Sequence, residues 1–447
     1  MSKCDSFCIY PWMHIQLKPN GQAKPCCRFN HMNEAYMDDE GRPIMAKYNV
    51  KNMTLSEIAQ SEFWQQLRQD MLDGKQIPGC HKCDRDDEKG KFSMRFNANR
   101  EWNEQKQDAP AEKYSDLKFE FLELTTGRYC NLKCRMCSSD LSTSWDSDDK
   151  ALQGLYYDRK DFSNRPTMLS LDFEKEDFKN TKLIKLTGGE PMLAPTFIPF
   201  LDTIIESGYA KNINLEIYTN ASWVPKAKIL DRLDKFKNLN IFLSIDGTGI
   251  VNDYIRAPSK WETVAESAET WIKYSKENPK YSVVFSPTIS LYNILDFPNM
   301  LRWWEGLQNK YFGENFVLYA SKNEKEAQLD PGYIFNIGKF SPTLLQTPTY
   351  LSPCLLPDKE GTIKELKIIC KDMTKNALSV DEIRYAKRFE YMIDHIISHL
   401  NKEPNDDLQT FVSYSVDLDK LRTQSLQDAL PDLWMQIKDK VEYKGKL

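Results

Sequence analysis

The sequence predicts an α/β fold built from repeated strand–helix units over residues 118–321. Apolar, strand-like runs occur at 118–125, 183–187, 213–218, 239–244, 281–289 and 316–320. Between them, apolar residues recur three and four apart, as in helices, over segments such as 197–205, 227–233 and 264–272. This alternation indicates parallel strands with right-handed crossovers. The polar motifs follow directly after strand candidates, at the edge where such folds place their active sites.

Three cysteines, Cys130, Cys134 and Cys137, follow the first strand of this region. Thiolates on one short loop can bind three irons of a four-iron, four-sulfur cluster and leave the fourth iron without a protein ligand. An open coordination position separates a reactive metal site from a structural one. A partial zinc site and simple buried thiols are the alternatives.

Composition limits the kind of protein. The chain has 447 residues, 41% hydrophobic and 28% charged, which suits a globular protein of about two or three domains. A formal net charge of −5 argues against a nucleic-acid partner. The sequence shows no apolar run of about eighteen residues and no signal-peptide core, so we expect neither a membrane partner nor export. Eleven cysteines without an export signal favour reduced, metal-binding thiols in the cytoplasm. Three basic residues suit an anionic cluster or substrate, or form a solvated loop: Arg128, Lys133 and Arg135.

Residues 1–85 form a second cysteine-rich region with six of the eleven cysteines. A β-hairpin is predicted near its start and a helix over 56–72. The hairpin and a following C-x2-C loop supply a complete four-thiolate set, Cys8, Cys26, Cys80 and Cys83. Such a set suits an iron–sulfur cluster or tetrahedral zinc. Cys27 is the rival of Cys26 as the second ligand.

The spacing C-x3-C-x2-C resembles the signature of the radical S-adenosylmethionine (SAM) superfamily. The resemblance implies an open, partial (β/α)6 barrel of the TIM type. It implies that Cys130, Cys134 and Cys137 hold a [4Fe–4S] cluster whose open iron binds SAM. One-electron reduction, by a flavodoxin- or ferredoxin-type donor, then cleaves SAM to methionine and a 5′-deoxyadenosyl radical, which abstracts hydrogen from the substrate.

Further residues resemble the SAM-binding motifs of this superfamily. The motif that holds the amino group of SAM corresponds to Gly188, Gly189, Glu190 and Pro191. Its glycines allow a ligand close to the backbone, and its carboxylate suits an ammonium group. Arg256 stands where related enzymes pair an arginine with the SAM carboxylate, or is a helix-surface charge. The other candidates are Met136 and Val317 near adenine, Thr219 and Asn220 after the third strand, and Ser244 and Asp246 after the fourth.

The N-terminal region resembles the twitch module, a shortened SPASM domain, through Cys8, Gly21-x4-Cys26 and Cys80-x2-Cys83. In the family this module usually follows the barrel, whereas here it precedes it. The segment 84–92 lacks the extra SPASM cysteines, so the resemblance implies one auxiliary [4Fe–4S] cluster. A full set of four cysteines favours an electron-transfer role, and the net reaction would then be an oxidation or a cross-link.

The predicted organisation is an auxiliary module at 1–85, a linker at 86–117, the barrel at 118–321, and an irregular, then helical, C-terminal region at 322–447. In the last region, a capping box of Ser379 and Glu382 begins a helix, and Pro431 should kink or interrupt another. His395 and His399 are four apart and could bind zinc, but a helix-surface pair is favoured.

These features predict an oxidoreductase or maturase that acts on a peptide, a protein side chain or a small molecule. The alternative is a non-catalytic zinc- or iron–sulfur-binding protein with a degenerate barrel. The intact motif at 188–191 argues against that alternative, because a degenerate barrel has no need of a SAM-binding motif.

Overall fold

The computed structural model describes residues 6–88, 93–106, 119–156, 173–313, 340–378, 380–404 and 407–447. Its central sheet consists of β1 (His14–Leu17), β2 (Ala23–Lys24), β3 (Phe121–Thr125), β4 (Leu183–Thr187), β5 (Asn214–Thr219), β6 (Asn238–Leu243) and β7 (Tyr281–Phe285). The strand order is β2-β1-β3-β4-β5-β6-β7, and every neighbouring pair except β1–β2 is parallel. The predicted parallel α/β fold is therefore confirmed.

The strand predictions agree with β3 to β6 and depart from the structure at β7. A single strand over 281–289 was expected, but β7 ends at Phe285 and a short β8 (Thr288–Ile289) follows Pro287. Proline has no N–H to donate to a strand ladder, so it breaks the run. β8 pairs in parallel with β9 (Thr343–Leu344). The predicted strand 316–320, with Val317, lies outside the described residues.

The cysteine-rich N-terminus shares the sheet of the barrel. The predicted hairpin is present, with Gln16 opposite Lys24. β1 also lies parallel to β3, with His14 opposite Phe121. The parallel part of the sheet thus gains a strand from the start of the chain, which local patterns did not predict because β1 and β3 are far apart in sequence.

Helices connect most of the strands and continue to the end of the chain. In chain order they are α1 (Tyr10–Met13), α2 (Leu55–Ala59), α3 (Glu62–Leu72), α4 (His81–Glu88), α5 (Met94–Lys106), α6 (Asp146–Leu152), α7 (Phe197–Glu206), α8 (Ala227–Leu233), α9 (Ile250–Ile255), α10 (Trp261–Glu277), α11 (Phe297–Phe312), α12 (Glu360–Thr374), α13 (Val380–Leu400), α14 (Leu408–Arg422), α15 (Leu426–Ala429) and α16 (Pro431–Ile437). None of the described helices is both long enough and apolar enough to span a membrane.

The observed helix boundaries differ from the predicted ones in several places. The helix expected over 56–72 is two helices. Thr54 and Glu57 form a capping box at the start of α2, and α3 begins after Ser61. The stretch expected as a linker contains α5, whose Asn99 side chain donates to Phe7 O at 2.7 Å. The interruption at Pro431 is confirmed, since α16 begins there.

The helix expected after residue 379 is present as α13, although Ser379 and the side chain of Glu382 lie outside the description. The prediction of a surface histidine pair on this helix is wrong for His399, which is buried. Its Nε2 lies 3.1 Å from Ser352 Oγ, and its Nδ1 lies 2.9 Å from Lys402 Nζ. Burial follows from the apolar side of α13, on which His399 lies with Ile396.

Candidate active site

The loop that carries Cys130, Cys134 and Cys137 runs from β3 to α6. Cys134 is buried and the other two are half-buried. The thiols lie within reach of one another electrostatically. Burial, followed by the Cys134 thiolate, raises the pKa of Cys130 to about 11 and that of Cys137 to about 12. The charge of Cys134 therefore affects the ionisation of both other thiols.

Three thiols on one short loop are the kind of donor set that a four-iron cluster uses. The described residues contain no group of three or more His, Cys, Asp or Glu side chains arranged to hold one metal ion. A four-iron cluster makes a different demand, because each thiolate binds its own iron and the sulfurs need not converge on one atom. Since burial keeps the thiols protonated, iron binding there must displace their protons.

The two glycines after β4 make room for the cysteine loop itself. A Cβ added at Gly188 would lie 2.5 Å from Gly127 O, and one added at Gly189 would lie 2.3 Å from Tyr129 O. Gly189 N donates to Gly127 O at 2.9 Å, and Glu190 N donates to Tyr129 O at 2.8 Å. Glycine is needed because the chain's own backbone, directly before Cys130, occupies the space of a side chain.

Glu190 is buried at the ends of two neighbouring strands. Its Oε2 accepts hydrogen bonds from Asn220 N at 2.6 Å and from Thr219 Oγ1 at 3.1 Å, and its Oε1 accepts from Met192 N at 3.4 Å. Burial outweighs these hydrogen bonds and raises the pKa of the carboxyl to about 7. A cationic ligand beside this carboxyl would restore its charge. Pro191, which follows, begins a short turn.

Other predicted residues join the strand ends to the cysteine loop. The Asn220 side chain donates to Asn131 Oδ1 at 2.9 Å, and its nitrogen lies 3.8 Å from Cys130 Sγ. Ser244 N donates to Thr219 O at 2.8 Å, which ties the end of β6 to that of β5. Met136 is half-buried against the core.

Arg256 is not a helix-surface charge, and that alternative is wrong. It is buried at the end of α9, with Nε donating to Asp246 Oδ2 at 2.6 Å. The other oxygen of Asp246 accepts from Thr288 N at 2.7 Å. The Arg256 charge lowers the pKa of Cys134 against the larger effect of burial. This cation therefore lies in the electrostatic field of the cysteine loop.

Two basic residues in and beside the cysteine loop, Arg128 and Arg135, are likewise buried and form ion pairs. Arg128 is buried and donates to both oxygens of Asp146, at 2.6 and 3.1 Å. Arg135 is also buried, and it forms an ion pair with Asp419. The solvated-loop alternative is therefore wrong for both arginines.

The second cysteine set comes together from separate segments. Burial, and then Cys27, Cys80 and Cys83, raise the pKa of Cys26, while Cys26 and Cys83 add to the effect of burial on Cys8. Cys80 ends a short turn, and Cys83 lies within α4, so the expectation that both lie in a loop is wrong for Cys83. The thiols of the predicted set influence one another as those of the cysteine loop do.

Cys27 faces a different environment from its neighbour. Its Sγ lies 3.8 Å from Met94 Sδ, and burial followed by the Glu123 carboxylate raises its pKa to about 12. Glu123 belongs to a buried polar group that the sequence analysis missed, with His14 Nε2 at 3.4 Å and Lys185 Nζ at 3.6 Å. The available signal was the charged residue in the middle of each apolar strand, β3 and β4, at matched register.

Comparisons with known proteins agree with this geometry. Residues 124–303 match the family model described as the radical SAM superfamily, and residues 8–84 match SPASM, described as an iron–sulfur cluster-binding domain. Residues 124–303 therefore form a radical SAM domain, and an iron–sulfur cluster-binding domain at residues 8–84 precedes it. A radical SAM domain implies an open partial barrel, a [4Fe–4S] cluster and SAM, and a SPASM domain implies further iron–sulfur clusters, which confirms the predicted fold and cofactors.

Solved structures similar to the chain include three complexes. They are anSMEcpe with bound AdoMet and Cp18Cys peptide (15% identity, 57% of this chain, 59% of that chain, TM-score 0.32), Streptococcus suis SuiB bound to S-adenosylmethionine (16%, 56%, 51%, 0.29), and the same SuiB bound to precursor peptide SuiA (13%, 66%, 64%, 0.30). The chain spans less than two thirds of these proteins, and at such TM-scores no conclusion about function rests on them. No curated protein matches the chain significantly.

Proposed function

We propose that Cys130, Cys134 and Cys137 hold the cluster that reductively cleaves SAM. The observation that carries this proposal is the backbone ladder between the glycine motif and the cysteine loop, in which Gly189 N and Glu190 N donate to the residues just before Cys130. The buried carboxyl of Glu190 follows this ladder directly, and its charge contributes to the raised pKa of Cys130. When bound, the cluster supplies the electron that breaks a carbon–sulfur bond of SAM, and one of its irons stays open for SAM.

The chain's own residues orient SAM. Glu190 receives the amino group, because its buried carboxyl, whose pKa burial has raised to about 7, can accept hydrogen bonds from the N–H groups of that amine once the carboxyl is ionised. Arg256 receives the carboxylate, and Asp246 fixes its guanidinium through a 2.6 Å hydrogen bond. Asn220 links Glu190 to the cysteine loop, since its backbone N–H donates to Glu190 and its side chain donates to Asn131 in that loop.

Four cysteines, Cys8, Cys26, Cys80 and Cys83, hold the auxiliary cluster. Cys26 is favoured over Cys27, because Cys80 and Cys83 contribute to the raised pKa of Cys26, whereas the leading charged neighbours of Cys27 are Glu123 and Lys185. A complete thiolate set leaves no iron open for substrate and suits electron transfer. The module takes up the electron left on the substrate radical, so the net reaction is an oxidation or a cross-link.

The substrate is a peptide, a protein side chain or a small molecule, and the first electron comes from a flavodoxin- or ferredoxin-type donor. Short peptides are the first substrates to assay, because a peptide can also represent a protein side chain. Glu123 and Lys185 are buried polar residues near the auxiliary module. Of the described residues, they are the ones to substitute once a substrate is found.

Anaerobic reconstitution with iron and sulfide tests the proposal. We expect about eight irons per chain and 5′-deoxyadenosine after addition of dithionite and SAM. The competing function, a metal-binding protein with a degenerate barrel, instead predicts about one zinc per chain at the N-terminal cysteines and no deoxyadenosine. Metal analysis and chromatography of the same sample distinguish the two.

A further inference from the structure

The C-terminal helices lie outside both matched ranges, yet they make buried polar contacts with the cysteine loop. Arg135, directly after Cys134, is fully buried. Its Nη2 forms an ion pair with Asp419 of α14 and donates to Gln424 Oε1 at 3.0 Å. The hydroxyl of Tyr414, also in α14, donates to Arg135 O at 3.1 Å. One helix therefore holds both the side chain and the backbone of this loop residue.

The Arg135 guanidinium is also enclosed by tyrosine rings of the barrel. Its Cζ lies 3.6 Å from the ring centroid of Tyr254, in α9, and 5.7 Å from that of Tyr292. Its Nε donates to Tyr254 O at 3.1 Å, and its backbone N–H donates to Ile255 O at 2.8 Å. A cation held over aromatic faces and paired with a carboxylate has little freedom to turn. Loop, barrel and C-terminal helix thus meet at one buried residue.

A second contact from α14 reaches the other side of Cys134. Arg422 Nε donates to Asp148 Oδ2 at 2.7 Å, and Lys133 Nζ donates to Asp148 Oδ1 at 3.1 Å. The Arg422 guanidinium lies 4.5 Å from the ring of Trp145, whose Nε1 donates to Cys134 O at 2.9 Å. The residues before and after Cys134, and its own carbonyl, are therefore all connected to α14.

We propose that α14 positions the cysteine loop for cluster assembly, with Asp419 as the positioning residue that fixes Arg135. This inference rests on the proposed assignment of the SAM-cleaving cluster to Cys130, Cys134 and Cys137. Without Asp419, the buried guanidinium has an uncompensated charge, so the loop must shift to relieve it. Three thiolates that must each meet an iron tolerate little displacement.

The test compares Asp419→Asn with Asp432→Asn, which removes a carboxylate from an exposed position of α16. Both full-length variants are reconstituted anaerobically, reduced, and measured by EPR before and after addition of SAM. We expect Asp419→Asn to keep the auxiliary cluster but to give an altered spectrum for the SAM-binding cluster, with a smaller response to SAM. Asp432→Asn keeps the wild-type spectrum. A wild-type spectrum and response in Asp419→Asn overturn the proposal.

Asp419→Asn can also prevent folding, since it leaves a buried charge. Two milder variants then decide: Tyr414→Phe, which removes one hydroxyl, and the double variant Arg135→Gln/Asp419→Asn, which removes both charges. An altered spectrum in either folded variant supports the proposal, and wild-type spectra in both overturn it. Replacement of the three loop cysteines by alanine separates this result from the proposed function. If that variant keeps full iron content and deoxyadenosine formation, the cluster assignment itself fails.

Discussion

The two cysteine sites are built in opposite ways. The cysteine loop takes all its thiols from one stretch of eight residues, 130–137, but takes its support from distant elements: the glycines after β4, α9 and α14. The N-terminal set takes its thiols from separate segments, and part of its support is local, since Arg95 pairs with Asp84, next to Cys83, and with Asp87. Ligand spacing and structural support are therefore independent, and a compact motif can depend on remote parts of the chain.

The largest expected effect comes from removing one site and leaving the other. Alanine at Cys130, Cys134 and Cys137 should abolish 5′-deoxyadenosine formation and remove about four irons per chain. The auxiliary cluster should persist, because its thiols and its arginine contacts belong to another part of the structure. Iron analysis and chromatography measure both effects. Loss of all iron would contradict the independence of the two sites.

The converse substitution removes Cys8, Cys26, Cys80 and Cys83. We expect about four irons to remain and SAM still to be cleaved, because the cysteine loop keeps its own ligands. Conversion of the substrate should stop, since the electron left on it has no acceptor. Single variants refine this result: Cys26→Ala should lose the auxiliary cluster, and Cys27→Ala should retain it. Equal iron loss in the two single variants would contradict the ligand choice.

Glu190 gives a pH-dependent prediction. Its pKa in the folded protein is about 7, above the ordinary 4.5, so the carboxyl is neutral below pH 7 and charged above it. If it receives the amino group of SAM, the affinity for SAM should fall by roughly a further tenfold for each pH unit below 7, in addition to the pH dependence that the amino group of SAM itself contributes. Calorimetric titration of the reconstituted protein at several pH values measures this slope.

The control for that titration is Glu190→Gln, which keeps the shape and removes the charge change. This variant should bind SAM weakly and without the slope. This variant should also remove a pH dependence from the stability of the SAM-free protein. Glu190 ionises at lower pH in the unfolded chain than in the folded protein, so in the wild type it makes the free energy of unfolding fall as pH rises from 4.5 to about 7. An unchanged pH slope in Glu190→Gln would assign the titration to another group.

A smaller effect is expected where the glycine motif touches the cysteine loop. Gly189→Ala places a Cβ against Tyr129 O, so it should destabilise the protein by roughly 1–3 kcal/mol and weaken cluster retention. The matched variant is Gly306→Ala in α11, where no atom lies within 4 Å of the added Cβ. That change should stabilise by about 0.4–1 kcal/mol. Thermal unfolding and iron content of the two variants show whether the contact matters.

Local sequence patterns predicted much of the fold, and the features that they did not predict depend on pairing between distant segments. Strands β3 to β6 and the thiol sets are visible in the sequence because periodicity and spacing are local properties. The pairing of β1 with β3 is not visible, because it joins segments at opposite ends of a long insertion. Helix α5 was missed because polar residues dominate it.

The candidate site shows the same limit. Glu190, Arg256 and the cysteines were all predicted by motif, as were Thr219, Asn220 and Asp246, which contact Glu190 and Arg256, but the remote partners of the cysteine loop were not. Arg135 reads as a surface charge in its own stretch of sequence, and only the fold brings Asp419, far along the chain, against it. Likewise, the glycines of the motif were expected to admit a ligand, and the structure shows that they admit the backbone of Gly127 and Tyr129.

The central claim is that one iron of a cluster held by three loop thiolates is free to bind SAM. Pulsed EPR of the reduced wild-type protein, with SAM carrying ¹⁵N in its amino group and ¹⁷O in its carboxylate, tests this claim most directly. We predict hyperfine coupling of both labels to the cluster, lost when Cys130, Cys134 and Cys137 are replaced. A reduced cluster that shows no coupling to either label would contradict the account.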